Sequence, residues 1–193
     1  DGLLALYEST FDIKWLTAAV DLSDAMVELF WDEEAGAFYD TGNDHEELVV
    51  RPRDVFDNAQ PCGGSVASDF LLRLSVITGN NDYTQKPVIP LRSLNELMYR
   101  APAGTGRWLA ALDFHLSLPK EIAIIGPSED PATKRLLTTV FGRYLANRVV
   151  VGDVGEKSRQ PLVSKGGTIP IPLLETRGIV YGKPTAYVCE NYA

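Results

Sequence analysis

Cysteine is scarce in this sequence: Cys62 and Cys189 are the two that occur, far apart and in unlike surroundings. Their spacing supplies neither a disulfide framework nor a set of zinc ligands, so free thiols are expected and no metal site is read. Long apolar runs are also missing. None approaches the ~20 residues needed to cross a bilayer, and no basic segment followed by an apolar one opens the chain. A membrane partner is not expected, and the chain reads as cytoplasmic. Basic residues are outnumbered, with 18 Lys and Arg against 26 Asp and Glu and a formal charge of −8. Phosphate recognition needs a clustered excess of Lys and Arg, so nucleic acid and anionic membrane surfaces are disfavoured as partners. Neither G-x-G-x-x-G nor G-x-x-x-x-G-K-[ST] is present, so Gly126-Pro127-Ser128 reads as a plain strand-to-helix turn and no cofactor is expected.

What is present suits a folded, mainly helical protein. Across 193 residues, 45% are apolar, enough for one large domain or one domain with an appendage. Trp15, Ala19, Leu22, Met26 and Leu29 fall at a 4-3-4-3 spacing that predicts a helix from Ile13 to Phe30. Trp31 to Gly36 reads as a turn. Ala37-Phe38-Tyr39 and Glu47-Leu48-Val49-Val50 pair as a β-hairpin around Thr41 to Asp44 in this reading. A second helix is predicted over about 65–78, with Val66, Phe70, Leu71, Leu74 and Ile77 inward and Gly79-Asn80 ending it. Pro87 and Pro90 should break the next helical region, about 82–100, into two pieces. Residues 106–116 return to helix. Past Pro119 the texture changes to a βαβ unit: a strand over 121–125, a helix over 131–144 and a strand over 147–152, expected to be parallel. Ile122 and Ile124 should lie beside Val149 and Val151, with Tyr187 to Cys189 adding a strand. The stretch 155–172 lacks periodicity and reads as exposed loop. The expected organisation is a helical region over 1–118 and a small α/β segment over 119–193. The chain begins at Asp1 directly in an apolar helical pattern and stops shortly after a strand, which reads as a piece cut from something longer.

Polar chemistry concentrates between the two best helices, in residues 44–65. His45, with an ordinary pKa near neutrality, is a candidate general acid or base, and Asp54 or Asp57 a candidate to orient it or polarise a hydroxyl. The other reading is a solvated hairpin edge. Arg51, Cys62 and Ser65 are candidate substrate-binding residues. Cys62 precedes a helix N-terminus, which favours a thiolate, so a lowered pKa is one expectation and a small residue filling a turn the other. Capping is the ordinary role for Ser65. His115, on an apolar helix, reads as structural.

Residues 30–38, 44–48, 57–67, 71–74, 120–122 and the terminal Gly182-Lys183-Pro184-Thr185-Ala186-Tyr187-Val188-Cys189-Glu190-Asn191 carry a resemblance that covers nearly the whole chain. Together they resemble the C-terminal part of the thioredoxin-domain-containing proteins related to spermatogenesis-associated protein 20. That resemblance implies an N-terminal thioredoxin-like domain followed by an α/α toroid of helical hairpins like that of N-acylglucosamine 2-epimerase. This chain would then hold a partial toroid with its inserted β-hairpin and the α/β tail, the missing portions being its partners. Cys62 and Gly64 stand where that family usually has serine and asparagine. Two functions follow: a sugar epimerase- or isomerase-like enzyme, with His45 in proton transfer and Arg51, Asp54 and Asp57 holding hydroxyls, or a non-catalytic module that binds a client or small ligand.

Overall fold

The structure is a computed structural model that describes residues 1–46, 50–165 and 167–190. It is mainly helical with small sheets. Its elements run α1 (Gly2–Thr10), α2 (Ile13–Phe30), β1 (Trp31–Asp32), β2 (Ala37–Phe38), α3 (Gly63–Thr78), α4 (Asp82–Ser93), α5 (Asn95–Arg100), α6 (Gly106–Leu116), β3 (Lys120–Ile125), α7 (Pro131–Phe141), β4 (Arg148–Asp153), β5 (Leu162–Ser164), β6 (Gly167–Ile169) and β7 (Thr185–Cys189). Among the described residues no helix is long and apolar enough to cross a membrane. The chain divides into two compact units: residues 1–20, 76–79 and 117–193, and residues 21–75 and 80–116. The first twenty residues and residues 76–79 thus group with residues 117–193.

The first unit is built on a three-stranded sheet in the order β4-β3-β7. β3 and β4 are parallel, pairing Ile122 with Val150 and Ala123 with Val151, and β7 runs antiparallel beside β3 with Val188 opposite Ile122. Ile122 to Ile125 and Val149 to Val151 are all buried, as expected of parallel strands covered on both faces. On one face Ile122, Ile124, Val150 and Val154 form a core with Phe11, onto which Leu136, Leu137 and Val140 of α7 pack. The Phe11 ring lies so close to Gly152 that a Cβ there would stand 2.5 Å from it. At the free edge of β4, the Glu8 carboxylate accepts from the Val150 N–H at 2.9 Å. α7 starts at Asp130, whose carboxylate accepts from Ala132 N, with Pro131 at the first helical position. The stretch expected to be loop holds the β5–β6 hairpin, in which Leu162 and Ser164 are buried and Val163 is exposed. Three-residue strands with one inward apolar side chain leave almost no period to detect.

In the second unit, β1 and β2 form an antiparallel hairpin, Trp31 opposite Phe38. This corrects the predicted pairing. Ala37-Phe38 does form a strand, but its partner is the Trp31-Asp32 pair that had been read as turn; Glu47 to Val49 lie outside the described residues. The turn closes because Gly36 takes φ +58° and the Asp32 carboxylate accepts from Ala35 N at 2.8 Å. Trp31 and Phe38 then meet edge to face at 4.9 Å. α4 runs unbroken through Pro87 and Pro90, because both rings lie on a buried stripe with Tyr83 and Leu91 at i, i+4, i+7 and i+8. The helical region does fall in two pieces, but the break is at Leu94. In α2 the buried positions are Ile13, Leu16, Ala19, Val20 and Ser23, whereas Leu22 of the predicted stripe is 61% exposed. Lys14, Asp21, Asp24 and Glu28 share one arc of the helix, and the apolar remainder is too wide for spacing to fix the buried phase.

Candidate functional site

Residues 39–65 of the second unit connect the hairpin to α3 through loops held by side-chain carboxylates. Asp40 sets the first crossing: its N–H donates to Pro52 O at 3.0 Å and its Oδ2 accepts from Asp54 N at 2.7 Å. Asn43 ties the loop to the end of α2, donating from Nδ2 to Glu28 O and from its backbone N–H to Leu29 O. Arg51 lies with its guanidinium 4.4 Å from the Tyr39 ring centre and donates from Nη2 to Thr41 O at 2.7 Å.

Asp57 is the most committed group. Its Oδ1 accepts from Cys62 N at 3.0 Å and from the Ser65 hydroxyl at 2.6 Å; its Oδ2 accepts from Arg107 N at 2.7 Å and Trp108 N at 3.4 Å. One carboxylate thus caps the starts of α3 and α6 together, where unpaired N–H groups and the helix dipoles favour negative charge. The Trp108 indole N–H, donating to Val55 O, holds the same crossing, and its ring closes over Gly64, where a Cβ would stand 3.1 Å away. Deeper in α3, Asp69 is paired with both Arg73 and Arg107 at 3.3 and 2.6 Å. The i, i+4 spacing of Asp69 and Arg73 is the signal for this cluster in the sequence.

The predicted site residues separate accordingly. Asp57, Cys62 and Ser65 are joined directly, with Ser65 fully buried. Asp54 is exposed and its carboxylate accepts from Phe56 N at 2.9 Å and Asn58 Nδ2 at 3.4 Å, while lining, with Arg53, a cavity of about 20 Å³. Arg51 is placed over Tyr39, and His45 stands exposed beside Gly42. Cys62 is a free thiol immediately before α3, as expected, but it is buried and its pKa is raised. Burial is the main cause; hydrogen bonding from Ser65 pulls the other way, and the negative charge of Asp57 adds to the rise. This overturns the lowered-pKa expectation. A larger cavity of about 210 Å³ is lined by Met26, Phe30, Phe38, Tyr39, Asp40, Gly63 and Ala67, residues that sequence reasoning did not single out. Among the described residues no three His, Cys, Asp or Glu side chains are grouped to hold a metal ion.

No protein-family profile matches the chain. Curated proteins do. Spermatogenesis-associated protein 20 of Homo sapiens is 34% identical over 193 residues, covering 100% of this chain and 24% of the relative, and that of Rattus norvegicus is 33% identical over 196 residues with the same coverage. An uncharacterised protein of Caenorhabditis elegans is 23% identical over 99% of the chain and 25% of its own length. The chain is thus similar from end to end to spermatogenesis-associated protein 20, and it spans about a quarter of the length of the curated relatives it matches.

Proposed function

We propose that this chain is a non-catalytic binding module, part of a partial α/α toroid that serves a thioredoxin-like domain elsewhere in a longer protein, and that it holds a small polyhydroxylated ligand. The observation that carries the reading is the state of Asp57. A catalytic carboxylate needs an oxygen free to meet a substrate proton or hydroxyl. Asp57 has both oxygens filled by backbone and hydroxyl donors from two helix starts, and Asp54 accepts within its own loop. The buried Cys62 thiol, held in its neutral form, is no better as a nucleophile. The ligand reading rests on the 210 Å³ cavity, where Phe30, Phe38 and Tyr39 offer apolar faces to a sugar ring and the exposed Asp40 carboxylate accepts from its hydroxyls. Free Cys62 and Cys189 fit a reducing compartment such as the cytoplasm.

Titrating a panel of mono- and disaccharides against the folded chain, followed by NMR of both protein and sugar, tests this. Saturable binding that is lost in Asp40→Ala, with the sugar recovered unchanged, is the expected result. Conversion of the sugar that depends on His45, Asp54 or Asp57 would establish the epimerase- or isomerase-like enzyme instead, and absence of any binding would remove the ligand.

A further inference from the structure

Among the described residues, three other than glycine hold a left-handed backbone: Phe11 at φ 53°, Thr176 at φ 60° and Tyr181 at φ 51°. Such a conformation is strained for a bulky L-residue and persists where something offsets it. Phe11 closes α1, and its ring is buried in the core beneath β4 and α7. Tyr181 has no such return within this fold, since it is 96% exposed. It is the first central residue of a turn from Val180 to Lys183, followed by Gly182 at φ 70° and closed by Lys183 N donating to Val180 O at 3.0 Å. Two positive φ values make this a type I′ turn, a geometry for which Asn-Gly or Gly-Gly would be the relaxed choice.

The turn is fixed from below. Val180 N donates to Thr185 Oγ1 at 3.1 Å, that hydroxyl donates to Lys183 O, and the Tyr187 hydroxyl donates to Gly178 O at 2.8 Å. Arg177 Nη1 adds a bond to Leu173 O. Ile179 and Val180 flank the tip, 44% and 41% exposed. The result is a braced turn that lifts an aromatic ring, preceded by two half-exposed β-branched residues, into solvent, at a cost to this unit and with no packing gained in it.

We propose that Tyr181 is the anchor of an interaction site, and that its ring seats in an apolar pocket formed by another stretch of polypeptide when this chain is part of a protein of its relatives' length. The coverage favours that occupant, because the chain spans 24% of those relatives and leaves about three quarters of such a polypeptide to supply the pocket. A second copy is disfavoured by the charge of −8 that each would carry. Tyrosine suits the role: it buries a large apolar area at low rotamer cost and brings one hydroxyl for a partner at the pocket floor. The inference is independent of the ligand cavity in the other unit.

The test places a photo-cross-linker, Tyr181→p-benzoylphenylalanine, in a polypeptide of the relatives' length that carries this chain, and maps the linked peptides by mass spectrometry. A link from position 181 to a residue outside these 193 is expected; links confined to this chain, links between copies, or none at all would overturn the proposal. Tyr181→Gly provides the second measurement. Glycine accommodates the turn, so the melting temperature of this chain by itself should stay within about 2 °C, while the longer polypeptide should be cut at least tenfold faster in limited proteolysis. Equal loss in both, or none in either, would make Tyr181 an ordinary surface residue of this fold.

Discussion

A carboxylate that accepts at both oxygens from two helix starts should be worth more than an ordinary cap, because its removal frays two elements at once. Asp57→Ala is expected to lower unfolding free energy by about 2 kcal/mol, two caps of roughly 1 kcal/mol each, since the buried Ser65 hydroxyl keeps Cys62 O as an acceptor. Asp57→Asn should cost less than the alanine variant, since one side keeps an acceptor while the other meets an NH2. Urea unfolding checks both; a loss under about 1 kcal/mol for the alanine variant would mean that the helix starts find other partners. The segment containing Asp57 was legible in the sequence as a concentration of polar groups beside a helix start. What it was for was not, because residue type cannot tell a carboxylate facing solvent from one facing four donors. Cys62 shows the same limit: the helix end beside it was readable, whereas the burial and the Asp57 charge that outweigh it depend on where the loop folds back. Asp40 and Tyr39 carry no site signal in the sequence because neither belongs to a motif, and only the position of α3 brings Gly63 and Ala67 across from them.

At the scale of elements, the parallel βαβ pair and the third strand are legible because the short uninterrupted apolar runs Ile122–Ile125, Val149–Val151 and Ala186–Cys189, each with Gly or Pro close to one end, have few other ways to be satisfied. The buried phase of α2 and the partner of β2 are not. In α2, Trp15 and Leu16, or Val20 and Leu22, are equally apolar candidates, and tertiary packing chooses between them. For β2 the deciding features are Gly36 and the Asp32 carboxylate, which close a shorter turn than the one expected. Close packing also makes a prediction in the sheet. Gly152→Ala pushes a methyl group to 2.5 Å from the Phe11 ring, so a destabilisation of about 2 kcal/mol is expected in urea. Combining it with Phe11→Leu should recover part of that loss beyond additivity, and strictly additive effects would show that the ring is not what the new methyl meets.

For the molecule as a whole, one buried tyrosine in each unit ties stability to alkaline pH. Tyr83 donates to Asp24 Oδ1 at 2.7 Å, and its pKa is raised from 10.0 to about 12, chiefly by burial and then by that bond. Tyr7 in the other unit is raised further, again by burial. A phenol whose folded pKa lies above its unfolded value contributes stability that is fully present below pH ~10 and is lost as pH rises through the folded value. Stability should therefore decline between about pH 10 and 12, with Tyr83 accounting for up to about 2.5 kcal/mol of the fall. Circular dichroism melts across that range should show a shallower decline in Tyr83→Phe than in the parent chain; identical slopes would remove Tyr83 as a cause. The bond from Val150 N to Glu8, 142 residues apart in sequence, carries a further consequence for how the protein is made. At a ribosome adding 5–20 residues per second, α1 emerges roughly 7–28 s before the strand it covers exists. Throughout that interval Leu4, Tyr7 and Phe11 have no core to enter, so the nascent chain offers an uncovered apolar helix to whatever holdase stands at the exit tunnel, and a translational pause before residue 148 would lengthen that exposure.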